Sequence, residues 1–406
     1  MARSKKPIDA KLSTDARLLL AIRSLNEVSG LFLGTFFISF IMRSSVAEIA
    51  SISIYKLVFF IAMMAGFVAL ARGIKTNSVA VFRLYVIPKI VFVLAIIFFR
   101  ESIVDFVIPM GVLVGIKAAM YWAPLHLMVR EKVSSGALTK FSGYSSLFEG
   151  LARIIAPVLL GLFITINSYE EMAWVILAVV IVEFLFTFLL KPARHKSKKK
   201  LDFGGFFRCM MKSPVIRKFF SLSILQGATR DGALATVITM YTVYMFKTDF
   251  KLGMFTTIFA VCGLITSFMF GRFVKKTMFP RIIVVSTLAA LCSLTLFVSH
   301  ASEITFLIYN FVFATGIALM SKVYSVNLYA LSKSSLISKN HSTEYFVFRE
   351  AAMTIGRVLA YSLLLVVGLW LGYEWLRWYL AVLTFAVALS GYLMIRVDRQ
   401  IKLNLG

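Results

Sequence analysis

Ionisable residues interrupt the long apolar segments of this chain, and their chemistry stands out first. A charged side chain at the middle of a bilayer costs a few kcal/mol unless it is paired or in contact with water. Such residues are therefore expected to form ion pairs, to bind a charged solute or to carry a proton. The basic ones are Arg23, Lys56, Lys89, Lys117, Arg153, Arg230, Lys322, Arg349 and Arg357, and the acidic ones are Glu27, Glu149, Glu183, Asp231 and Glu350.

Several of these residues are spaced so that they share one face of a helix, and we predict that they pair within their own helices. The pairs are Arg23 with Glu27, Glu149 with Arg153, and Glu350 with Arg357. Such pairs are also expected to latch gate helices near the cytoplasmic edge. The predicted gate or latch residues are Arg23, Arg153, Arg349, Glu350 and Arg357.

Some basic residues lie deeper in their segments and have no partner on the same helix. They are Lys89, Lys117 and Lys322. Two arrangements stay open for them, since they either pair across helices with Glu149, Glu183 or Glu350, or face a wet cavity. The excess of basic residues favours an anionic substrate. The residues predicted to line its path are Lys89, Lys117, Tyr121, Trp122, Arg230, Lys322 and Tyr324.

Proton coupling is the second chemistry that the segment carboxylates offer. A carboxylate surrounded by apolar residues can take up a proton on one side of a membrane and release it on the other. The candidates are Glu27, Glu149 and Asp231, and Glu149 can exchange its predicted partner Arg153 for a proton. Asp231 also lies beside Gly227 and Gly232, so its segment is a candidate hinge.

The elements that position these residues follow from composition. The chain has 406 residues, of which 60% are hydrophobic and 16% charged, with a mean hydropathy of +0.86. Soluble domains are about half apolar and a quarter charged. An ordinary cytosolic enzyme, a disordered protein and a disulfide-stapled secreted domain are therefore excluded.

Long apolar runs without alternation indicate transmembrane helices, because only helices or closed barrels satisfy their backbone in lipid. We predict an all-α membrane protein with twelve such spans. They are 16–42, 46–71, 79–99, 103–129, 140–167, 171–191, 216–246, 251–273, 280–299, 303–331, 343–370 and 374–396.

Lysine and arginine outside the spans fall mostly on alternate loops, which places both termini in the cytoplasm. The net charge of +25 is therefore mainly a topology signal, and it implies contact with anionic lipid headgroups rather than nucleic acid. A basic loop at 193–215, with an apolar and basic stretch that can lie on the membrane surface, separates two six-helix bundles at 1–192 and 216–406. One shift of 201 residues brings Gly115 onto Gly316 and Glu149 onto Glu350, which favours a duplicated unit.

In this 6+6 arrangement the chain resembles the major facilitator superfamily of secondary transporters. The superfamily has a glycine- and basic-rich turn after its second span. Here that turn contains Gly66, Arg72, Gly73 and Lys75, with Leu70 where an aspartate is usual, and its counterpart after span eight contains Gly271 and Arg272. Ala156-Pro157-Val-Leu-Leu-Gly161 resembles half of a motif of efflux-type members. The resemblance implies alternating access by a monomer, with a small-molecule substrate.

Cofactor and metal chemistry are not expected. Three cysteines and four histidines have no ligand spacing, and no phosphate-binding Gly-x-x-x-x-Gly-Lys-Ser/Thr loop is present. We therefore predict a proton-coupled secondary transporter of the inner or cytoplasmic membrane that moves a small organic anion or other amphipathic anionic solute, and not an enzyme. A drug, multidrug or lipid exporter of the same fold is the alternative. A polytopic membrane enzyme, a channel and a non-transporting sensor are more remote ones.

Overall fold

The computed structural model describes residues 12–45, 48–133, 137–192, 202–229, 233–332, 337 and 342–405, and these residues form helices without a strand. The α-helices are α1 (Thr14–Leu31), α2 (Phe37–Ser44), α3 (Glu48–Thr76), α4 (Ser78–Leu84), α5 (Val86–Phe99), α6 (Val107–Lys132), α7 (Leu138–Ile166), α8 (Tyr169–Phe188), α9 (Phe203–Lys212), α10 (Pro214–Thr229), α11 (Ala233–Phe246), α12 (Asp249–Phe273), α13 (Phe279–Ser299), α14 (Glu303–Ser332), α15 (Ser342–Val366) and α16 (Leu376–Leu405). A π-helical turn, Phe32–Phe36, joins α1 to α2, and another, Val367–Leu371, continues α15.

Within the described residues, ten helical segments are long and apolar enough to cross a membrane, which confirms the all-helical membrane class. One of them, Ser78–Val129, has 52 residues and covers the predicted spans 79–99 and 103–129. The predicted span 216–246 is divided between α10 and α11, with residues 230–232 outside the described part. The count of twelve spans and the orientation of the termini stay predictions.

Side-chain caps begin several helices, as the sequence of their first turns dictates. Ser13 Oγ accepts from the Ala16 amide at 3.1 Å at the start of α1, and Ser168 Oγ accepts from the Glu171 amide at 3.1 Å at the start of α8. Each cap satisfies an amide that has no partner within its helix. The polar residues between apolar runs thus fix where α1 and α8 enter their spans.

The chain divides into two compact units. Unit 1 gathers described residues of 1–45, 58–198 and 248–257, and unit 2 those of 46–57, 199–247 and 258–406. The first turns of α3 therefore belong to unit 2, and those of α12 belong to unit 1. The linear division at the basic loop stays a prediction, and residues 193–201 of that loop lie outside the described part.

Helix packing within each unit positions the polar side chains. In unit 1, α1 packs against α7 and α8, and α5 packs against α8 and α6. In unit 2, α10 packs against α15 and α16, and α13 packs against α14 and α16. Gly115 lets α6 approach α3, because a Cβ there would lie 2.9 Å from the Met63 amide nitrogen. Small residues at such crossings are the usual device for close helix contact in membranes.

Candidate functional site

Side chains from five helices and the turn before α5 converge in unit 1 to form a polar group, which we name the polar cluster. Its members are Arg23, Asn26, Glu27 and Ser29 on α1, Tyr85 before α5, Lys89 on α5, Lys117 and Tyr121 on α6, Glu149 and Arg153 on α7, and Glu183 on α8.

A fully buried ion pair forms the centre of the polar cluster. Lys89 Nζ lies 2.5 Å from Glu183 Oε2, and neither side chain is exposed to solvent. Lys89 Nζ also donates to Asn26 Oδ1 at 3.2 Å, while the Tyr85 hydroxyl donates to Glu183 Oε1. Ser29 Oγ lies 3.5 Å from Glu183 Oε2. Of the two arrangements left open for Lys89, the structure has the cross-helix pair with Glu183, and the extra hydrogen bonds satisfy both charged groups.

A local irregularity in the third predicted span lies at Tyr85, four residues before Lys89. The regular hydrogen bonding changes there, between α4 and α5 and three residues before Pro88, while the backbone keeps right-handed helical angles (φ −62°, ψ −23°). Proline has no amide hydrogen for the carbonyl four residues earlier, so it weakens the helix at this point. Tyr85 and Lys89 are four residues apart and lie on the same side of the chain, and Lys89 Nζ is 5.8 Å from the Tyr85 ring centroid.

Two further ion pairs connect α1 to α7, and they correct the pairing predicted from spacing. Arg23 Nε lies 2.5 Å from Glu149 Oε1, and Arg153 Nε lies 2.6 Å from Glu27 Oε1. The partners are thus exchanged between the two helices instead of being four residues apart on one helix. Adjacent helices let both carboxylates meet a guanidinium directly, and Ser145 Oγ donates a further hydrogen bond to Glu149 Oε1 at 2.6 Å.

Lys117 is the basic side chain of the polar cluster for which no ion pair is found among the described residues. It is half-buried on α6, within electrostatic range of Lys89, Glu183 and Glu27. Within the described residues, no carboxylate lies at ion-pair distance from its ammonium, which is 5.6 Å from the centroid of the Tyr121 ring. The polar cluster therefore holds four basic side chains against three carboxylates.

Aromatic rings form one wall of the polar cluster. Tyr121 is 2% exposed and packs at 5.0 Å between centroids against Tyr85, and at 5.6 Å against Phe82. The neighbouring Trp122 is exposed and stacks near His126, with centroids 6.1 Å apart. Tyr121 is therefore part of the wall and Trp122 points away from its buried side, while the substrate-path role of both residues stays a prediction.

Four predicted site residues of unit 2 are connected by polar contacts, namely Tyr324, Arg349, Glu350 and Arg357. The Tyr324 hydroxyl accepts from Arg349 Nε at 3.2 Å and is 2.9 Å from Ser223 Oγ. Arg349 also lies 2.5 Å from Glu350, whose other oxygen is 3.7 Å from Arg357, as the seven-residue spacing predicts. Of the other predicted site residues of unit 2, Lys322 is exposed on α14, whereas Arg230 and Asp231 lie outside the described residues.

Comparison with known sequences places these helices in a family. A profile described as the Major Facilitator Superfamily matches residues 28–336 of the chain. The chain belongs to the Major Facilitator Superfamily. Membership of this superfamily makes the chain a multi-pass membrane transporter rather than an enzyme.

Individual relatives of this superfamily member are distant. YqgE, an uncharacterised protein of Bacillus subtilis strain 168, is 22% identical over 366 residues, covering 89% of this chain and 84% of that protein. A bacterial homologue of the iron transporter ferroportin, in an inward-facing state, has a TM-score of 0.73 at 15% identity and covers 96% of this chain and 100% of its own. A POT family transporter in complex with 5-aminolevulinic acid has a TM-score of 0.69 at 12% identity, with 95% and 96% covered. These structures show the shared fold.

The residues predicted to form the superfamily turn after the second span, Gly66 to Lys75, lie within α3, which continues to Thr76, and their glycines pack closely against neighbouring side chains. A Cβ on Gly66 would lie 2.7 Å from the Cβ of Ala119, and one on Gly73 would lie 3.5 Å from Val81 Cγ2. The side chains of Arg72 and Lys75 lie outside the described part. In the counterpart, Gly271 and Arg272 lie in the last turn of α12, and the Arg272 guanidinium is exposed, 5.7 Å from the Phe273 ring centroid.

Sequence reasoning missed several members of these polar groups. Glu183 was considered only as one of several partners, and Asn26 and Tyr85 were not singled out, although the four-residue Tyr85–Lys89 spacing was a usable signal. A second polar group in unit 1 was also missed: Asp249 Oδ2 lies 2.9 Å from Arg43, and Asp249 Oδ1 accepts from Ser39 Oγ at 2.6 Å.

Proposed function

We propose that this transporter moves a small organic anion across the cytoplasmic membrane by alternating access, coupled to protons. The proposal includes twelve spans in two six-helix bundles, both termini in the cytoplasm, and a monomeric state. The ten candidate spans support a count of twelve spans. The segment Ser78–Val129 is long enough for two spans, and α10 together with α11 accounts for one further span. The basic residues on alternate loops support the orientation.

Among the described residues Lys117 has no carboxylate at ion-pair distance, and this observation supports an anionic substrate. Three of the four basic side chains in the polar cluster have a carboxylate at 2.5 or 2.6 Å, whereas no carboxylate of the described residues lies that close to Lys117. A carboxylate or phosphate group on a solute would supply the missing partner, and charge-assisted hydrogen bonds to such groups are strong.

The crossed ion pairs support the proton-coupling step. Glu149 is 18% exposed in its side chain, so a proton can reach it, whereas Glu183 is fully buried. Protonation of Glu149 removes the countercharge of Arg23 and gives the site a second cation for the anion. Loss of that proton on the other side of the membrane restores the Arg23–Glu149 ion pair and favours release of the anion. Glu27, which pairs with Arg153, is the second carboxylate of this kind, and Asp231 stays a candidate from the sequence.

Ligand-induced stabilisation of detergent-purified protein tests the substrate class. A ligand at about a hundred times its Kd stabilises the folded state by about 2.7 kcal/mol. We expect one of a panel of small carboxylates and organic phosphates to raise the Tm, Lys117→Ala to abolish the rise, and Lys56→Ala to preserve it. Lys56 is the matched control because it is a half-buried lysine of another helix, α3.

The same measurement distinguishes the alternative exporters. A rise in Tm with lipophilic cations alone, unchanged in Lys117→Ala, would contradict the anion proposal and favour drug efflux. A rise with anionic lipids alone would favour a lipid exporter of the same fold. In the polar cluster every carboxylate has a basic partner, which disfavours a cationic substrate.

A further inference from the structure

The short helix α9 has a distinctive surface outside the polar cluster. Its ten residues, Phe203–Lys212, are too few to span a bilayer and lie directly before α10. Asp202 caps it, with Oδ1 accepting from the Gly205 amide at 2.8 Å. The helix is therefore a defined element of unit 2, and its outward faces need a partner or water.

One side of α9 is fixed to unit 2. Phe206 is completely buried, and its ring centroid lies 5.2 Å from that of Phe348 and 6.3 Å from those of Phe220 and Tyr345. The Asp202 amide donates to Glu344 Oε1 at 2.9 Å, which connects the start of α9 to α15. This anchoring determines which faces of α9 point outward.

An apolar stripe lies on the outward side. Phe203, Phe207 and Met211 are 41%, 49% and 49% exposed, although they follow one another at four-residue spacing and so share a face. Phe203 and Phe207 flank Phe348, with ring centroids 6.2 and 6.3 Å from it. A contiguous apolar face left exposed on a membrane protein points to a contact with acyl chains or another apolar surface.

A basic stripe runs parallel to the apolar one. Arg208 and Lys212 are both exposed and also four residues apart, and at 3.6 residues per turn they lie about 120° around the helix from the middle of the apolar stripe. They border a groove of about 760 Å³ that Ser213 also lines. A helix with adjacent apolar and basic faces is typical of elements that lie in the plane of a membrane interface.

The excess of basic residues around α9 indicates the kind of partner that this helix binds. Between Lys191 and Lys218 the sequence has ten basic residues, and Asp202 is the single acidic one. We propose that the outward face of α9 docks on an anionic lipid surface, with Phe203, Phe207 and Met211 among the acyl chains and Arg208 and Lys212 on phosphate headgroups. Anionic headgroups complement this charge, and each basic residue near such a surface strengthens binding about fivefold.

Backbone hydrogen exchange of the whole chain in nanodiscs tests the proposal, and it requires no transport substrate. We expect the amides of α9 to exchange at least about fivefold more slowly in phosphatidylcholine with phosphatidylglycerol than in phosphatidylcholine alone. Arg208→Gln with Lys212→Gln should remove most of that difference. Lys275→Gln with Lys276→Gln is the matched control, because it removes two exposed basic side chains elsewhere in unit 2 and should preserve the difference.

Four outcomes would contradict the proposal. Equal exchange in the two membranes would show that headgroup charge does not reach α9. An equal loss of protection in the Lys275/Lys276 control would show attraction of the basic surface in general. Protection by soluble glycerol phosphate in phosphatidylcholine nanodiscs would identify a free phosphate ligand instead of a lipid surface. Phe207→Ser should speed exchange in both membranes, and unchanged exchange would contradict insertion of the apolar stripe.

Discussion

The Lys89 side chain is fully buried, so the cost of its charge depends on the partner that it contacts. The ammonium is paired with Glu183 and hydrogen-bonded to Asn26, so the pair is satisfied from three helices. Burying two charges is costly, and the interaction repays that cost only when the geometry is good. The pair is therefore expected to fix how α1, α5 and α8 meet, instead of supplying a mobile charge for the transported solute.

Removing one partner of this pair should be more damaging than removing both. Glu183→Gln keeps an acceptor for the Tyr85 hydroxyl but leaves the Lys89 ammonium without a countercharge. Breaking a buried pair in this way costs about 3–5 kcal/mol. We expect a loss of that size in the free energy of unfolding for Glu183→Gln and for Lys89→Met, measured by denaturant unfolding in detergent.

The double variant Lys89→Met with Glu183→Gln is the control for this prediction. It removes both charges, so it should be less destabilised than either single variant, which requires a coupling energy larger than one single loss, about 3–5 kcal/mol. Losses that simply add in the double variant would mean that the two side chains do not stabilise each other.

At the scale of the element, much of the fold and the Glu350–Arg357 pair could be predicted, but the partners of Arg23 and Arg153 could not. Apolar runs locate the spans because lipid requires each run to be a helix of about the same length. The in-helix pair of Arg23 with Glu27 was nevertheless wrong, because the rotation of α1 about its axis brings Arg23 to Glu149 on α7. Spacing along one helix does not encode the rotation and height of its neighbour. For the same reason Glu183 could be considered as a partner of Lys89 but not selected.

Glycines set the distance between α10 and α15. A Cβ on Gly356 would overlap the Ile224 carbonyl and lie 2.9 Å from the Ala228 amide nitrogen, and a Cβ on Gly227 would overlap the Met353 carbonyl. We expect Gly356→Ala to separate the two backbones and to lower the stability by about 1–3 kcal/mol, as overpacking does. Thermal unfolding of the purified protein measures this loss.

Gly263 on α12 provides the matched control for that substitution. A Cβ on Gly263 would meet nothing within 4 Å. Gly263→Ala should therefore be neutral or stabilise by up to about 1 kcal/mol, because alanine has the higher helix propensity. Equal destabilisation by Gly263→Ala and Gly356→Ala would contradict the close-packing explanation and indicate a general intolerance of α-helical glycines to substitution.

At the scale of the whole molecule, a coupled transporter must link protonation to the movement of its substrate. If Glu149 carries the coupled proton, Glu149→Gln resembles its permanently protonated form, with Arg23 released for the anion. The variant should still bind and exchange substrate across the membrane, because neither step then needs a proton to leave. It should fail to accumulate substrate against a gradient, because an imposed pH difference no longer changes the state of the site.

Proteoliposomes loaded with the anion identified by ligand-induced stabilisation separate these two activities. We expect Glu149→Gln to retain counterflow exchange and to lose accumulation driven by a pH gradient of either sign. Glu171→Gln is the control, since that carboxylate is exposed in the first turn of α8 and has no place in the polar cluster. Accumulation at the wild-type level in Glu149→Gln would remove Glu149 from the coupling step. Loss of both activities would instead mean that the Arg23–Glu149 pair is needed for the conformational change itself.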